Sequence, residues 1–337
     1  MSARQLSKRD SVEKTSPWQK PHPLTGCPVS ADDRPSSTAA VVTRFAPSPT
    51  GRLHLGHALA ALVAWETAQR AGGQLLLRLE DIDQTRCRPE YETALMDDLA
   101  WLGLQWPEPV RRQSRHLNAS MAALERLQTL GLVYPCFCTR TEIQREVAAM
   151  VNAPHGPEGV LYPGTCRALP AATRTARLAA GSDHAWRLDV TRASALAGPL
   201  RWYDHRQNWQ TATPDILGDV VLARKDIATS YHLAVVVDDA AQGVTRVTRG
   251  EDLFACTHLH RLLQHLLDLP VPTWAHHPLV CDSAGKRLAK RDAAASLHSL
   301  RANGATPDSI RNRLHDAITE SLDPPDEDLP LASVCGQ

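Results

Sequence analysis

The sequence has no apolar run long enough to span a bilayer, so no membrane-crossing helix is expected. Its N-terminus lacks an apolar core, which argues against a secretory signal and places the protein in the cytoplasm. It has no excess of either charge: 37 Lys and Arg face 37 Asp and Glu. That balance withholds the overall basic field of many nucleic-acid binders and leaves room only for a local patch. No internal repeat is found, which excludes a solenoid. Eight cysteines in an unsecreted chain of 337 residues lack the setting for a disulfide framework and point to thiols or a metal. Residues 1–40 are poor in aliphatics and rich in Ser, Pro, Lys, Arg and Asp, and read as a disordered extension.

The most informative stretch runs from Arg44 to His57, Arg-Phe-Ala-Pro-Ser-Pro-Thr-Gly-Arg-Leu-His-Leu-Gly-His. Val41–Ala46 reads as a short buried strand, broken by two prolines and Gly51. From Leu55 a helix carries Leu55, Leu59, Leu62 and Val63 among small residues and stops at Gly72-Gly73. His54 and His57 then stand at a helix start, where free amides attract phosphate and imidazoles add donors. Gly56 lets a flat ring or phosphate approach the backbone. An ordinary βα turn with surface histidines is the alternative for the His-x-Gly-His alone.

The whole stretch resembles the ATP-binding signature of class I aminoacyl-tRNA synthetases, in the glutamyl branch. Three more matches follow in family order: Arg78-Leu79-Glu80-Asp81-Ile82-Asp83; Tyr231 to Asp239 leading to Arg249-Gly250-Glu251-Asp252; and Arg287-Leu288-Ala289-Lys290-Arg291, in the place of the lysine loop. The resemblance covers Val41 to Ala295. Only residues 292–337 follow the lysine loop, enough for one or two helices such as Pro307–Leu322, whereas a further domain takes on the order of 100 residues. In this the chain resembles the glutamyl-queuosine tRNA(Asp) synthetase family, a glutamyl paralogue without an anticodon-binding domain. The resemblance implies tRNA-independent activation of L-glutamate with ATP, then transfer to queuosine at the wobble position of tRNA(Asp). Phosphate chemistry of this kind calls for Mg2+ with ATP, and a monomer is expected. Two alternatives stay open: a discriminating glutamyl-tRNA synthetase lacking its anticodon domain, and a non-catalytic ATP- or glutamate-binding paralogue. For residues 1–40, a targeting or tRNA-touching arm is the alternative to disorder.

Roles follow residue by residue from that resemblance. Arg44 and Arg249 are matched to the substrate side-chain carboxylate, which guanidinium groups grip well. Glu80 supplies charge for the α-ammonium, and Tyr231 a phenol at the pocket edge. Phe45, Ala46, Pro47 and Ser48 complete the glutamate site. His54, Gly56, His57 and Lys290 bind ATP, with His54, His57 and Lys290 as the catalytic set. Ser48 stands where glutaminyl enzymes carry Glu, which favours glutamate. The lysine loop departs from the family pattern at Arg287, which keeps the charge of Lys, and at Ala289, which loses a hydroxyl. Arg201, Arg206, Arg224 and Lys225 are candidates for anticodon-stem phosphates, with scattered surface charge as the alternative.

Cys136-Phe137-Cys138 and Tyr162-Pro163-Gly164-Thr165-Cys166 have the make-up of a tetrahedral zinc site. The family resemblance implies Cys136, Cys138, Tyr162 and Cys166 as ligands of one Zn2+, with His155 as an alternative to Tyr162. Glu142–Val151 reads as a helix between them, with Thr139 and Glu142 as a capping box. The other cysteines, Cys27, Cys87, Cys256, Cys281 and Cys335, read as plain thiols.

The expected fold is α/β, a Rossmann-like class I synthetase catalytic domain with an inserted zinc-bearing acceptor-type subdomain. Its expected parts are the extension (1–40), the first catalytic half (41–131), the insertion (132–218), the second catalytic half with the lysine loop (219–295) and a helical tail (296–337). Strands are expected at Val41–Ala46, Gln74–Leu79, Ala185–Val190, Val220–Ala223 and Val244–Thr248. Helices are expected at Glu90–Leu102, Ser114–Leu130 and Phe254–Leu267.

Overall fold

The computed structural model describes residues 40–148, 155–157, 159–280 and 296–322. The expectations for the N-terminal extension, the lysine loop with Arg287, Ala289 and Lys290, and Cys27, Cys281 and Cys335 fall outside these residues. The side chain of His155 falls outside them as well.

The first strand, β1 (Val42–Phe45), stops where Ala46-Pro47-Ser48-Pro49 withdraws backbone donors. Helix α1 (Leu55–Arg70) buries Leu55, Leu59, Leu62 and Val63 and returns the chain to β2 (Gln74–Leu79). β2 pairs parallel with β1, from Val42↔Gln74 to Phe45↔Leu77. The return needs Gly73, because a Cβ there would lie 1.9 Å from the Val41 carbonyl oxygen. Helix α2 (Pro89–Trp101) leads to β3 (Arg111–Arg112), which pairs parallel beside Arg78 and Leu79. Helix α3 (Leu117–Thr129) begins three residues later than expected. Gln113–Arg115 form a 3-10 turn instead, in which the Ser114 amide and hydroxyl both donate to the Asp81 carboxylate, at 2.8 and 2.6 Å.

The next segment builds a separate antiparallel sheet. Strand β4 (Val133–Cys136) is followed by helix α4 (Arg140–Ala148), the short pair β5 (His155–Gly156) and β6 (Gly159–Val160), and helix α5 (Ala171–Ala179). The Thr139–Glu142 capping box is present: the Thr139 amide donates to Glu142 at 2.6 Å, and the Glu142 amide to the Thr139 hydroxyl at 3.2 Å. Strand β7 (Ala185–Leu188) crosses beside β4, and Asp189 then caps helix α6 (Val190–Ala197). The hairpin of β8 (Arg201–Asp204) and β9 (Asn208–Thr211) turns through Asn208, whose φ of 60° asparagine accepts readily. Strand β10 (Val221–Arg224) completes the antiparallel sheet in the order β10-β7-β4.

Helix α7 (Tyr231–Ala241), β11 (Arg246–Gly250), helix α8 (Phe254–Leu267) and β12 (Thr273–His277) form a second parallel unit. It lies against the first: the Thr245 amide donates to the Val42 oxygen at 3.0 Å, and the Val42 amide to the Thr245 hydroxyl at 2.9 Å. The α/β arrangement with parallel strands is as expected. Within the segment expected as the insertion, β8 pairs with β12 through Asp204↔Trp274. Trp202 draws the hairpin in by packing with Val244, Val247 and Trp274. β10, conversely, belongs to the antiparallel sheet.

Helices α9 (Leu297–Ala302), α10 (Pro307–Arg313) and α11 (His315–Ser321) return over α1, burying Leu297, Ile310, Leu314, Ile318 and Leu322 in its core. The single helix suggested by Pro307–Leu322 is broken at buried Leu314. Among the described residues no helix is long and apolar enough to cross a membrane.

Candidate functional site

The strand-turn-helix at 42–70 presents its two histidines as caps. His54 takes an extended conformation, and its Nδ1 accepts the Gly56 amide at 3.1 Å. His57 Nδ1 accepts the His54 amide at 3.2 Å, and the two rings lie 3.9 Å apart. An Nδ1 that accepts leaves the proton of a neutral ring on Nε2. Each imidazole therefore caps the helix through Nδ1 and carries its proton on Nε2. Gly56 has a local reason too: a Cβ there would lie 3.0 Å from His54 Cε1. The chain re-enters beside this turn, with Ser296 bridged to His54 and the Leu297 amide donating to Leu53 at 2.8 Å.

The ends of β1, β2 and β11 and the start of α7 bring Arg44, Glu80 and Arg249 within electrostatic range of the Tyr231 hydroxyl. Arg44, 5% exposed, donates from Nε to Asp239 at 3.1 Å and from Nη1 to the Thr248 carbonyl at 3.1 Å. Fully buried Arg78 reaches the same Asp239 oxygen at 2.7 Å and Glu80 at 3.3 Å. Burial works to raise the Asp239 carboxyl, but the two guanidinium groups hold it below its usual 3.8. Burial dominates at Glu80 and pushes it above 4.5 in spite of Arg78 and Arg44. A carboxylate in that condition gains from an arriving ammonium. Pro47 fixes it in place, its carbonyl accepting the Glu80 amide at 3.0 Å. Ser48 is exposed beside it, whereas the Phe45 side chain packs into the α1 core and leaves only backbone for a ligand.

Arg249 has less freedom than a bidentate clamp requires. Nη1 donates to the Tyr231 hydroxyl at 3.3 Å and meets His260 Nδ1 at 3.1 Å. Nη2 donates to Thr257 at 2.6 Å, and Nε to His276 Nε2 at 3.2 Å. Of its five N–H groups, one on Nη2 remains among the described residues. An incoming carboxylate would thus be shared between Arg249 and the open donors of Arg44. The sequence reading left Arg78, Asp239, Thr257, His260 and His276 without roles. Arg78 and Asp239 lie inside quoted motifs, where a signal existed; the other three have none in sequence.

The cysteines gather at the end of β4. Sγ atoms of Cys136, Cys138 and Cys166 lie within 4.8 Å of one another, and Cys138 and Cys166 are 3.4 Å apart. The Tyr162 hydroxyl is 3.3 Å from Cys136, 3.6 Å from Cys138 and accepts the Cys166 amide at 2.8 Å. Ligands about 2.0–2.3 Å from a tetrahedral zinc stand roughly 3.3–3.8 Å apart, which the Cys138–Cys166, Cys136–Tyr162 and Cys138–Tyr162 separations meet, and three thiols with a phenol suit the ion chemically. Arg187 stacks on the Tyr162 ring, 3.9 Å from its centroid.

Of the four basic candidates, three have acidic partners: Arg206 with Glu320, Arg224 with Asp226 at 3.3 Å, and Lys225 with Asp183. Arg201 is exposed and lies over Trp209.

Residues 40–317 match the family of class I tRNA synthetases (E and Q), catalytic domain. A relative from Rhodobacter capsulatus, named Glutamyl-Q tRNA(Asp) synthetase, is 51% identical over 80% of this chain and 98% of its own length. One of the same name from Symbiobacterium thermophilum is 42% identical over 80% of this chain and 84% of its own. A glutamate tRNA ligase from Elizabethkingia meningosepticum, solved in complex with its amino acid, superposes with a TM-score of 0.62 at 28% identity, covering 76% of this chain. The chain spans 53% of that solved protein. The chain belongs to the class I glutamyl and glutaminyl tRNA synthetase family and is a ligase-type enzyme of that class.

Proposed function

We propose that this family member joins L-glutamate to ATP without tRNA, giving glutamyl-adenylate, and passes the glutamyl group to queuosine at the wobble position of tRNA(Asp). The reading is supported by Glu80, Arg44 and Arg249 all acting on the Tyr231 hydroxyl, and by the His54–His57 cap at the start of α1. The relatives' printed name supports the choice of acceptor.

The substrate's side-chain carboxylate is assigned to Arg44 and Arg249, with Tyr231 at the edge, and its ammonium to Glu80. Ala46, Pro47 and Ser48 frame the reacting end. An α-carboxylate oxygen then attacks the α-phosphorus of ATP, the bond to the bridging oxygen breaks, and pyrophosphate leaves with its electron pair. His54 and His57 hold phosphate oxygens through Nε2–H, and Gly56 keeps the His54 ring in place. Lys290 is assigned the charge on the departing pyrophosphate. In the second step a hydroxyl of the queuosine cyclopentenediol attacks the acyl carbonyl, gives up its proton and displaces AMP. Both steps depend on positioning and charge stabilisation. Mg2+ bound with ATP would neutralise phosphate charge. Zinc, held by Cys136, Cys138, Tyr162 and Cys166, would tie the end of β4 to the 162–166 turn and takes no part in either step.

The test has two arms. Pyrophosphate exchange with glutamate is expected without tRNA. Labelled glutamate is expected on tRNA(Asp) carrying queuosine and not on the same tRNA with guanosine at that position. Equal labelling of both, removed by oxidation of the 3′ end, would make the protein a glutamyl-tRNA synthetase. Absence of exchange would leave a binding protein.

A further inference from the structure

Behind Arg249 runs a chain of buried groups that connects three elements. Asp204, at the end of β8 and fully buried, accepts the Arg206 and Gln207 amides on Oδ1 at 2.9 and 3.0 Å. Its Oδ2 lies 2.6 Å from Nδ1 of His276 on β12, itself 1% exposed. His276 Nε2 faces Arg249 Nε at 3.2 Å and the Thr257 hydroxyl at 3.2 Å. Trp202 and Phe254 pack edge-on against the His276 ring.

Proton accounting fixes every direction in this chain. Arg249 Nε can only donate, so His276 Nε2 must accept. The proton of the neutral ring is then on Nδ1, aimed at Asp204. Thr257 accepts from Arg249 Nη2, and since the one lone pair of His276 Nε2 already takes the Arg249 Nε–H, the Thr257 hydroxyl at 3.2 Å can only share it as a second donor. Burial, with Arg249 nearby, pushes His276 down to about 4 against the pull of Asp204, so the ring is neutral near pH 7. On the other side His260 Nδ1 accepts from Arg249, which sends its own proton from Nε2 to His232 Nδ1 at 3.2 Å.

We propose that Asp204 and His276 are positioning residues for substrate selection: the carboxylate sets the imidazole tautomer, and the imidazole sets the plane of the Arg249 guanidinium. With Nε, Nη1 and half of Nη2 engaged, the group cannot swing to follow a ligand and offers one N–H in one direction. A substrate reaching it must bring an acceptor to that point. In the opposite tautomer, His276 would set an N–H against the Arg249 Nε–H and turn the guanidinium away. The inference rests on the reading that Arg249 holds the side-chain carboxylate of glutamate.

The experiment is pyrophosphate exchange by the full chain carrying His276→Leu, His276→Gln, Asp204→Asn or Arg249→Ala, with KM measured separately for glutamate and ATP and folding checked by thermal unfolding. His276→Leu is expected to raise the glutamate KM about tenfold or more, since a hydrogen bond to a charged group is lost, and to leave the ATP KM unchanged. His276→Gln, whose carbonyl can accept where Nε2 did, is expected to recover most of the loss. Asp204→Asn is expected to act in the same direction as His276→Leu. A wild-type glutamate KM in His276→Leu beside an impaired Arg249→Ala would overturn the positioning role. So would equal increases in both KM values, or no recovery with glutamine. A normal glutamate KM in Arg249→Ala would instead remove the glutamate reading itself, and the positioning role with it.

Discussion

His54 and His57 cap one helix reciprocally: His54 Nδ1 takes the Gly56 amide, and His57 Nδ1 takes the amide of His54. The pair thus holds each ring by its Nδ1 and keeps the proton of a neutral ring on Nε2. Replacing His54 by alanine removes a cap worth about 1 kcal/mol, and it removes a donor to the phosphates as well. Melting temperature is expected to fall slightly while pyrophosphate exchange falls by orders of magnitude. Gly56→Ala separates the two effects differently: its Cβ would displace the His54 ring, and the higher helix propensity of alanine, about 1 kcal/mol over glycine, offsets the weakened cap. Its exchange rate is expected to drop with the melting temperature nearly unchanged; normal exchange would show that the ring position does not matter.

Asp239 is the shared counter-ion of Arg44 and Arg78, both buried. Removing it leaves Arg44 without its carboxylate and Arg78 with Glu80 alone, and breaking buried pairs of this kind costs about 3–5 kcal/mol. Asp239→Asn is expected to lose stability of that order in urea unfolding. The pH dependence has a definite sign. The folded carboxyl is held below 3.8, so its contribution is complete above that value and vanishes as pH falls through the lower, folded value. Wild-type stability should fall more steeply below about pH 4 than that of the variant; parallel curves would contradict the assigned ionisation.

Glu80 behaves in the opposite sense. Burial raises it above 4.5, so the carboxylate that is to meet the substrate ammonium is protonated sooner as pH falls. The acid limb of kcat/KM for glutamate should lie above the ordinary glutamate range, and Glu80→Gln should show low activity without that limb. An unchanged profile in the variant would remove Glu80 from the site.

One zinc per chain is expected by elemental analysis of protein purified without chelators, with thiolates about 2.3 Å from the metal by X-ray absorption. Cys166→Ser should lose the metal, and Tyr162→Phe should weaken it while leaving the three thiols in place. Metal-free wild-type protein would refute the site. Loss of zinc should loosen the 162–166 turn more than the start of α1, since no ligand lies in the parallel sheets.

Much of the α/β frame could be read in the sequence because its signals are local. α1 and β2 lie between glycines and apolar runs that leave little choice of boundary, and Phe254–Leu267 shows its helical period openly. The Thr139–Glu142 box and the thiol spacing are likewise short-range. What escaped is tertiary. The Asp204–His276 pair spans 72 residues, and neither side chain carries a local mark of its partner. β12 is buried throughout, so it shows no alternation by which a strand could be recognised. The 3-10 turn at Gln113–Arg115 is set by Asp81, far upstream. Polar residues between Asp204 and Trp209 concealed a hairpin whose aromatic content only makes sense once Trp202 meets Trp274.

Helix α7 works as a ruler. Tyr231 stands at its first residue and Asp239 eight residues on, roughly 12 Å along the axis, with Asp238 next to it locked to Arg111. One end is keyed to the strands through three arginines, Arg44, Arg78 and Arg111, so the other end has no rotational choice. A single-residue insertion anywhere between would turn Tyr231 by about 100° and carry it off the substrate side, without disturbing the ion pairs. An insertion would also put buried Leu233, Val235 and Val237 out of register, so the packing of α7 and the contact of Tyr231 with Arg249 fix the same length.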